Sequence, residues 1–557
     1  MSNSMDEFTE HEKEILKHHF SNTDKPVFVI TTPKQVDRGA LMSRYSRSSK
    51  SMRRIFLDEF LNNPSRGEEF YERVLVEYGD DSVAELGLVQ VGIEGISQIA
   101  IQSIEDRRIG LSYLEKSTRY VRFDQKVDGR YAYYRGDDIM GLKYVDAYIE
   151  ACDLAFNTYS KSIEPMIKYL KEVEPIHSMH FLDSSKGVEV AFDELKSSDD
   201  VKMAEKAYES SIRAKALDVL RVLLPASTLT NVGVAGNARA FEHLLNILLA
   251  SGLREEQSIA MMLYEELREY IGPFIKRVGS KHGESFRDYL NSTMAGITRI
   301  AGEYLKHLKH DKDDGSYAYA YADTDADADE VRLVDYDKDN DEIEAKVVAS
   351  ILYEHADASY SDLLELVRRM SREDRASIIE EYVKHRANRR HRPLRAFEIP
   401  YYTFDLCTNF GIFRDLHRHR ILTMQRQLLT VRHGYYKPME VIDAGLEKEF
   451  DDCMYKSKEV YELIACREGK PLEAQYVVNL AYRYRYLIKL NLREAYHMIE
   501  LRTSPQGHPA YRRVAQEMYR AIANVHPNLA RGMKFVDMRD YSSRIEAEKR
   551  KLLKLKS

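Results

Sequence analysis

Arg418-His419-Arg420, in the stretch Asp415-Leu-His-Arg-His-Arg-Ile-Leu-Thr-Met-Gln, closes an aromatic and apolar run from Tyr401 to Phe413. Two guanidiniums offer rigid bidentate forks to phosphate oxygens, and a histidine between them donates or accepts near neutral pH. Such a trio suits a nucleotide or a flavin diphosphate. A lone basic triplet also arises by chance on solvated faces, so the chemistry needs more than three residues to rest on. A second, altered copy of the neighbourhood supplies them. Arg107, 311 positions earlier (418 − 107), sits in Glu105-Asp-Arg-Arg-Ile-Gly-Leu-Ser-Tyr-Leu-Glu-Lys-Ser-Thr-Arg-Tyr120, and the same offset carries His391 onto Asp80.

The elements that must position these residues repeat as well. Asn237-Ala-Arg239-Ala-Phe-Glu-His243 returns as Asn491-Leu-Arg493-Glu-Ala-Tyr-His497. From clamp to block the spacing is 130 in the first copy (237 − 107) and 73 in the second (491 − 418), so 57 extra residues lie in the first copy, within about 125–210. Lys25-Pro-Val-Phe-Val-Ile-Thr-Thr-Pro33 and Val331-Arg-Leu-Val-Asp-Tyr336 are β-rich runs expected to open each repeat as strands. Helical periodicity is expected from Gly39 to Tyr78, from Leu253 to Val278 and from Ile343 to Lys384. The organisation expected is an N-terminal arm at 1–24, a first repeat at 25–309, an acidic low-complexity linker at 310–330, a second repeat at 331–540 and a basic tail at 541–557.

These blocks resemble a known family. Arg-His-Arg-x-x-Ser-x-Asn-Glu-x-Ser-x-Arg-Tyr, preceded by His-x-Ser-x-x-Glu-His, is the signature of flavin-dependent thymidylate synthase (ThyX), and the chain resembles two such subunits joined. The first copy keeps Arg107, Ser112, Glu115, Ser117, Arg119 and Tyr120 in register but has Arg108, Ile109 and Leu114 where the family has His, Arg and Asn. The second keeps Arg418, His419 and Arg420 but has Thr423, Gln425, Arg426, Leu428 and Thr430 thereafter, with Arg432 as a shifted substitute. Arg221 in Arg-Val-Leu-Leu-Pro matches the family's arginine before Leu-Pro; by spacing its counterpart is Gln475. The family's arginine five places after the block histidine is present as Arg502 and replaced by Leu248 in the first copy.

The resemblance implies an α/β (α+β) fold of two repeats, each a mixed or antiparallel sheet flanked by helices. It implies reductive methylation of dUMP to dTMP with methylenetetrahydrofolate, FAD as cofactor and NADPH as co-substrate, in a homodimer that forms a pseudo-tetramer of repeats. Residue by residue, it assigns dUMP to Glu115, Lys116, Ser117, Thr118, Arg119, Arg221, Arg418 and Arg502, with Arg502 catalytic through charge developing on the pyrimidine. It assigns FAD to His391, Arg418, His419, Arg420, Asn491, Arg493 and His497, with Asn237, Arg239, His243, Ser82 and Arg107 from the first copy. No metal is expected. A flavin- or nucleotide-binding protein without synthase activity, and a structural pseudoenzyme, are the alternatives.

Composition bounds the rest. At 557 residues the chain exceeds one ordinary core, and a net charge of −7 exerts no general pull on nucleic acid, so any phosphate site must be local. Cys152, Cys407, Cys453 and Cys466 include no Cys-x-x-Cys pair, which argues against a zinc ribbon or disulfide framework and fits a reducing cytoplasm. The polar, acidic start and the short apolar run Leu244-Leu-Asn-Ile-Leu-Leu-Ala predict neither an export signal nor a membrane anchor.

Overall fold

The computed structural model describes residues 7–63, 65–71, 81–305, 330–505 and 507–539. The acidic linker except Glu330, the basic tail and Asp80 lie outside the described residues. The elements that carry the argument are, in chain order, β1 (Leu88–Ser97), α1 (Gln98–Glu105), β2 (Leu111–Glu115), α2 (Val145–Val173), β3 (His180–Asp183), β4 (Val188–Ala191), α3 (Ser198–Leu220), β5 (Leu229–Asn237), α4 (Ala238–Leu249), α5 (Arg254–Ile275), β6 (Val331–Tyr336), β7 (Tyr401–Asn409), α6 (Phe410–Leu416), β8 (Leu422–Arg426), β9 (Arg483–Asn491), α7 (Leu492–Arg502) and α8 (Pro509–Val525).

They fall into two compact units. The first comprises Met1–Lys116, Tyr134–Met140 and Leu229–Ser316; the second, Ser117–Tyr133, Gly141–Thr228 and Tyr317–Ser557. Ser117–Tyr133, α2 and α3 therefore belong to the second unit although they come from the first half of the sequence.

The first unit holds an antiparallel sheet in the order β1-β5-β2, and the second a sheet in the order β6-β7-β9-β8. The two share a register. Leu111 faces Gly236 across β2 and β5, and Leu422 faces Leu490 across β8 and β9, the same pairing carried forward by each block's own offset. β1 has one residue more than β7, and a bulge between Ile93 and Ile96 absorbs it. Gly95 sits there at φ +68°, a conformation that glycine adopts without a Cβ penalty.

Each strand that feeds a helix ends in the residue that caps it. Ser97, Asn237, Asn409 and Asn491 accept from backbone N–H groups in the first turns of α1, α4, α6 and α7, satisfying donors that a helix leaves open at its start. These strand-cap-helix joints fix where the clamp and block residues begin.

Two expectations change. Val27–Ile30 is not a strand: only an isolated bridge joins Ile30 to Phe20, and Val27 and Val29 are 82% and 64% exposed. Pro26 and Pro33 bracket the run and remove donors that a sheet needs, and Ser21 takes both backbone groups of Val29 instead. The helical stretch from Gly39 is broken, into Gln35–Tyr45, Met52–Phe60 and Arg66–Tyr71. By contrast Val331–Tyr336 forms β6, paired with β7.

In the first unit, α4 and α5 close the core with Phe241, Leu244, Leu248, Ile271 and Phe274. Leu248, standing where the family has an arginine, is fully buried. Leu248→Ala should cost about 2 to 5 kcal/mol as a cavity forms, and Leu248→Arg should cost more by burying an unpaired charge. Denaturant unfolding of the purified chain checks this; a Leu248→Arg protein as stable as wild type would contradict it.

Candidate functional site

In the second unit, two buried carboxylates gather three arginines. Asp218 lies in the last turn of α3 and Asp415 near the end of α6. Arg119 Nε lies 3.1 Å from Asp218 Oδ1, and its Nη2 donates to Asp415 Oδ2. Arg221, which caps the C-terminal end of α3, places Nε 3.1 Å from the same Asp218 oxygen and Nη2 3.8 Å from Asp415. Arg502, the last residue of α7, places Nη1 3.9 Å from Asp415 Oδ1. Thr118 Oγ1 accepts from Arg221 at 3.3 Å, and the Tyr511 ring of α8 lies 5.5 Å from the Arg119 guanidinium and 5.7 Å from that of Arg502.

The charges explain the directions in which these groups titrate. Burial raises the Asp415 carboxyl, but Arg119, Arg221 and Arg502 more than offset this and hold it below the usual carboxylate range. Burial lowers the Arg221 guanidinium to about 10, where it is still a cation at neutral pH. For Arg119 burial is outweighed by Asp218 and Asp415, and its pKa rises. Three cations against two anions leave one excess positive charge, with exposed Arg418 adding its field. Arg119 and Arg502 keep 16% and 12% of their side chains exposed.

A second network adjoins Arg502. Its Nε donates to His419 Nε2 at 3.0 Å; since arginine has only donors, the imidazole proton sits on Nδ1, which donates to Glu494 Oε1 at 2.8 Å. His497 repeats the pattern, accepting from Arg392 at Nε2 (3.0 Å) and donating from Nδ1 to the same Glu494 oxygen (3.3 Å). Burial lowers His419 to about 4, against the pull of Glu494, so the ring is neutral at physiological pH. Burial raises Glu494, but the bonds from His419 and His497 outweigh it and bring the carboxyl to about 2. His419, Glu494 and His497 bring three ligand-type atoms within 4.8 Å of one another. Arginine donors at both Nε2 atoms place the ring protons on the face a cation would need, which makes the set a hydrogen-bonded relay.

The remaining predicted residues divide. Arg418 and Arg420 are exposed on either side of buried His419. Ser117 Oγ accepts from the Arg119 N–H, and Asn491 and Asn237 are spent as caps. Arg493 donates to the Pro393 carbonyl and Glu398, and His391 is held by Asn388 and the Ala387 N–H, so both shape the loop before β7. Glu115 ends β2 and Lys116 follows it in the first unit, where exposed Arg239 pairs with Glu85, and burial lowers His243, which Arg107 reinforces. Ser82 lies in the turn Asp81–Leu86, its side chain outside the described residues. Asp218, Asp415, Glu494 and Tyr511 were not singled out from the sequence.

Comparison with known proteins decides the family. The family model described as thymidylate synthase complementing protein matches residues 29–271 and again 332–528. The chain belongs to the thymidylate synthase complementing protein family. It carries that family's region twice, as the duplicated register requires. A UPF0159 protein of Thermoplasma acidophilum is 40% identical over 525 residues, covering 93% of this chain and 99% of its own. One of Chlamydia muridarum is 36% identical over 549 residues, covering 95% and 96%. The crystal structure of a UMP/dUMP methylase PolB from Streptomyces cacaoi bound with 5-Br dUMP is 18% identical and covers 36% of this chain and 93% of its own, with a TM-score of 0.29, too weak a likeness to bear on fold or reaction.

Two of the chain's departures from the motif make contacts of their own, while Ile109 and Leu114 are exposed. Gln475, in Arg221's place, accepts from the Leu429 N–H at 2.9 Å and donates to Leu472. Arg432 lies 3.5 Å from Glu462 and donates to Cys466 Sγ.

The relay predicts acid sensitivity. His419 titrates near 4 in the fold against an ordinary 6.5, so between these values the unfolded chain binds more protons and stability falls as pH drops. The slope should reach about 1.4 kcal/mol per pH unit. Unfolding curves at a series of pH values should show it, and His419→Asn should flatten it; an unchanged slope in that variant would count against the relay.

Proposed function

We propose that the chain is a flavin-dependent thymidylate synthase, carrying the methylene of methylenetetrahydrofolate to C5 of dUMP. The observation that carries this reading is that Arg119 and Arg221, from the first half of the sequence, meet Arg502, from the second, on one pair of carboxylates. Arg119 and Arg221 hold the nucleotide phosphate as charge-assisted donors, with Thr118 fixing the Arg221 fork. Arg502, held at Nε by His419 and with Nη1 near Asp415, stabilises with its guanidinium the negative charge that develops on the pyrimidine as C5 attacks.

The donor set suits FAD. Arg418 and Arg420 are exposed on either side of His419, and exposed Arg392 donates to half-buried His497; donors of these types suit a diphosphate. When bound, reduced FAD supplies the reducing equivalents that convert the transferred methylene to methyl, leaving tetrahydrofolate; NADPH restores it. The protein's part is to bind, orient and stabilise charge. We assign these roles to a homodimer whose four repeats stand in for the family's four subunits, with the productive sites built on the second unit. Among the described residues, no helix is long and apolar enough to cross a membrane.

The purified protein should be yellow and bind dUMP at one equivalent per chain. Arg418→Ala/Arg420→Ala should release flavin, and Arg119→Ala and Arg502→Ala should each weaken dUMP binding about tenfold to a hundredfold and abolish dTMP formation. Absorbance spectra, calorimetric titration and product assay measure these. A colourless protein without dUMP binding, or two equivalents of dUMP per chain, would overturn the reading.

A further inference from the structure

An arginine that acts on a pyrimidine must be aimed, and Arg502, at the C-terminal end of its helix, is aimed by contacts outside the helix. Building on the proposed function, we propose that Glu494 is the positioning residue of the site, holding Arg502 in its working pose through the tautomer of His419. Glu494 and Arg502 stand eight residues apart on α7, roughly 12 Å along the axis, too far to touch. His419, arriving from the end of α6, bridges them, with 2.8 Å to Glu494 and 3.0 Å to Arg502. Glu494 is itself fixed, because its backbone N–H donates to Asn491 Oδ1 at 2.9 Å in the first turn.

The direction of the protons is what makes this a device. A carboxylate beside Nδ1 accepts only, so it pins the proton there and leaves the Nε2 lone pair turned toward Arg502. Without it the buried Nδ1–H loses its partner, and the ring can recover one only by turning or by moving the proton to Nε2, either of which breaks the bond from the Arg502 N–H. The charged groups acting on His419 are Glu494, His497 and Arg502, and Arg418 and Asp415 act on Arg502 in turn.

The duplicated chain supplies its own control. The counterparts of His419, Glu494 and Arg502 in the first copy are Arg108, Ala240 and Leu248. All three are exchanged together. Ala240 sits in the first turn of α4, with no side chain that could orient anything, and Leu248 is core. A glutamate kept for the helix alone has no reason to disappear with the arginine it never touches.

The test uses the full-length chain, isotope-labelled at histidine and arginine nitrogens, in nuclear magnetic resonance and in dUMP titration. Wild type should show His419 as the Nδ1–H tautomer at neutral pH. Glu494→Gln, whose amide oxygen still accepts, should keep that tautomer and bind dUMP within about threefold of wild type. Glu494→Ala should shift the tautomer, move the Arg502 Nε–H signal and weaken dUMP binding about tenfold or more. If Glu494→Ala does not fold, His419→Gln takes its place and should move the same arginine signal and lose the same affinity. Unchanged tautomer and arginine signals in Glu494→Ala, or changed signals with dUMP affinity intact, would overturn the proposal. A wild-type protein that ignores dUMP defeats the proposed function instead, and the tautomer and arginine signals alone then decide whether Glu494 positions Arg502.

Discussion

One buried carboxylate sets the terms for the second unit. Asp415 is enclosed on α6, and the desolvation of a carboxylate in such a place outweighs what any single ion pair returns. It stays ionised because three guanidiniums surround it, and each of those is in turn tolerable only because Asp415 and Asp218 are there. Residues more than 370 positions apart in sequence, Arg119 and Arg502, are thereby made conditional on one another. Removing any member leaves a buried charge without its complement, a change that costs about 3 to 5 kcal/mol. The excess positive charge is the part of this arrangement that folding alone does not require.

The two copies have spent their shared inheritance differently. Their sheets pair in the same register, and their helices start from the same caps, so a residue in one copy has a definite counterpart in the other. At Leu248 the counterpart of Arg502 has become core. At Gln475 the counterpart of Arg221 has become a neutral clasp on the loop after β8. Loss of charge was accompanied at each place by a contact that stabilises the local fold, which is the expected fate of a polar position released from a ligand.

Much of this was legible in the sequence because it is periodic or local. Constant offsets revealed the duplication, and Val331–Tyr336 read as a strand. The clamp's composition was legible too, but not its division into a buried histidine and two exposed arginines, since a triplet carries no information on which side chain the chain turns inward. The acidic partners were missed for a related reason. Asp218, Asp415 and Glu494 were assigned no role by the motif; they matter through what they neutralise, and the partners that reveal this include residues 75 to 296 positions away. Val27–Ile30 failed as a strand because β propensity reports a tendency to fit a pleated surface and says nothing of whether an edge is there to receive it.

Fusion explains why such divergence is possible at all. In an assembly of identical subunits every position recurs in every site, so a cation needed beside one pyrimidine must be buried, or kept wet, wherever that subunit's copy of it falls. Joining two copies in one chain makes the positions independent. The first copy can then place a leucine in its core where the second holds a desolvated Arg502. The second copy can concentrate the whole relay, from Glu494 through His419 to Arg502, on one helix and one loop. A substitution in one copy no longer has to be compatible with the environment of the other.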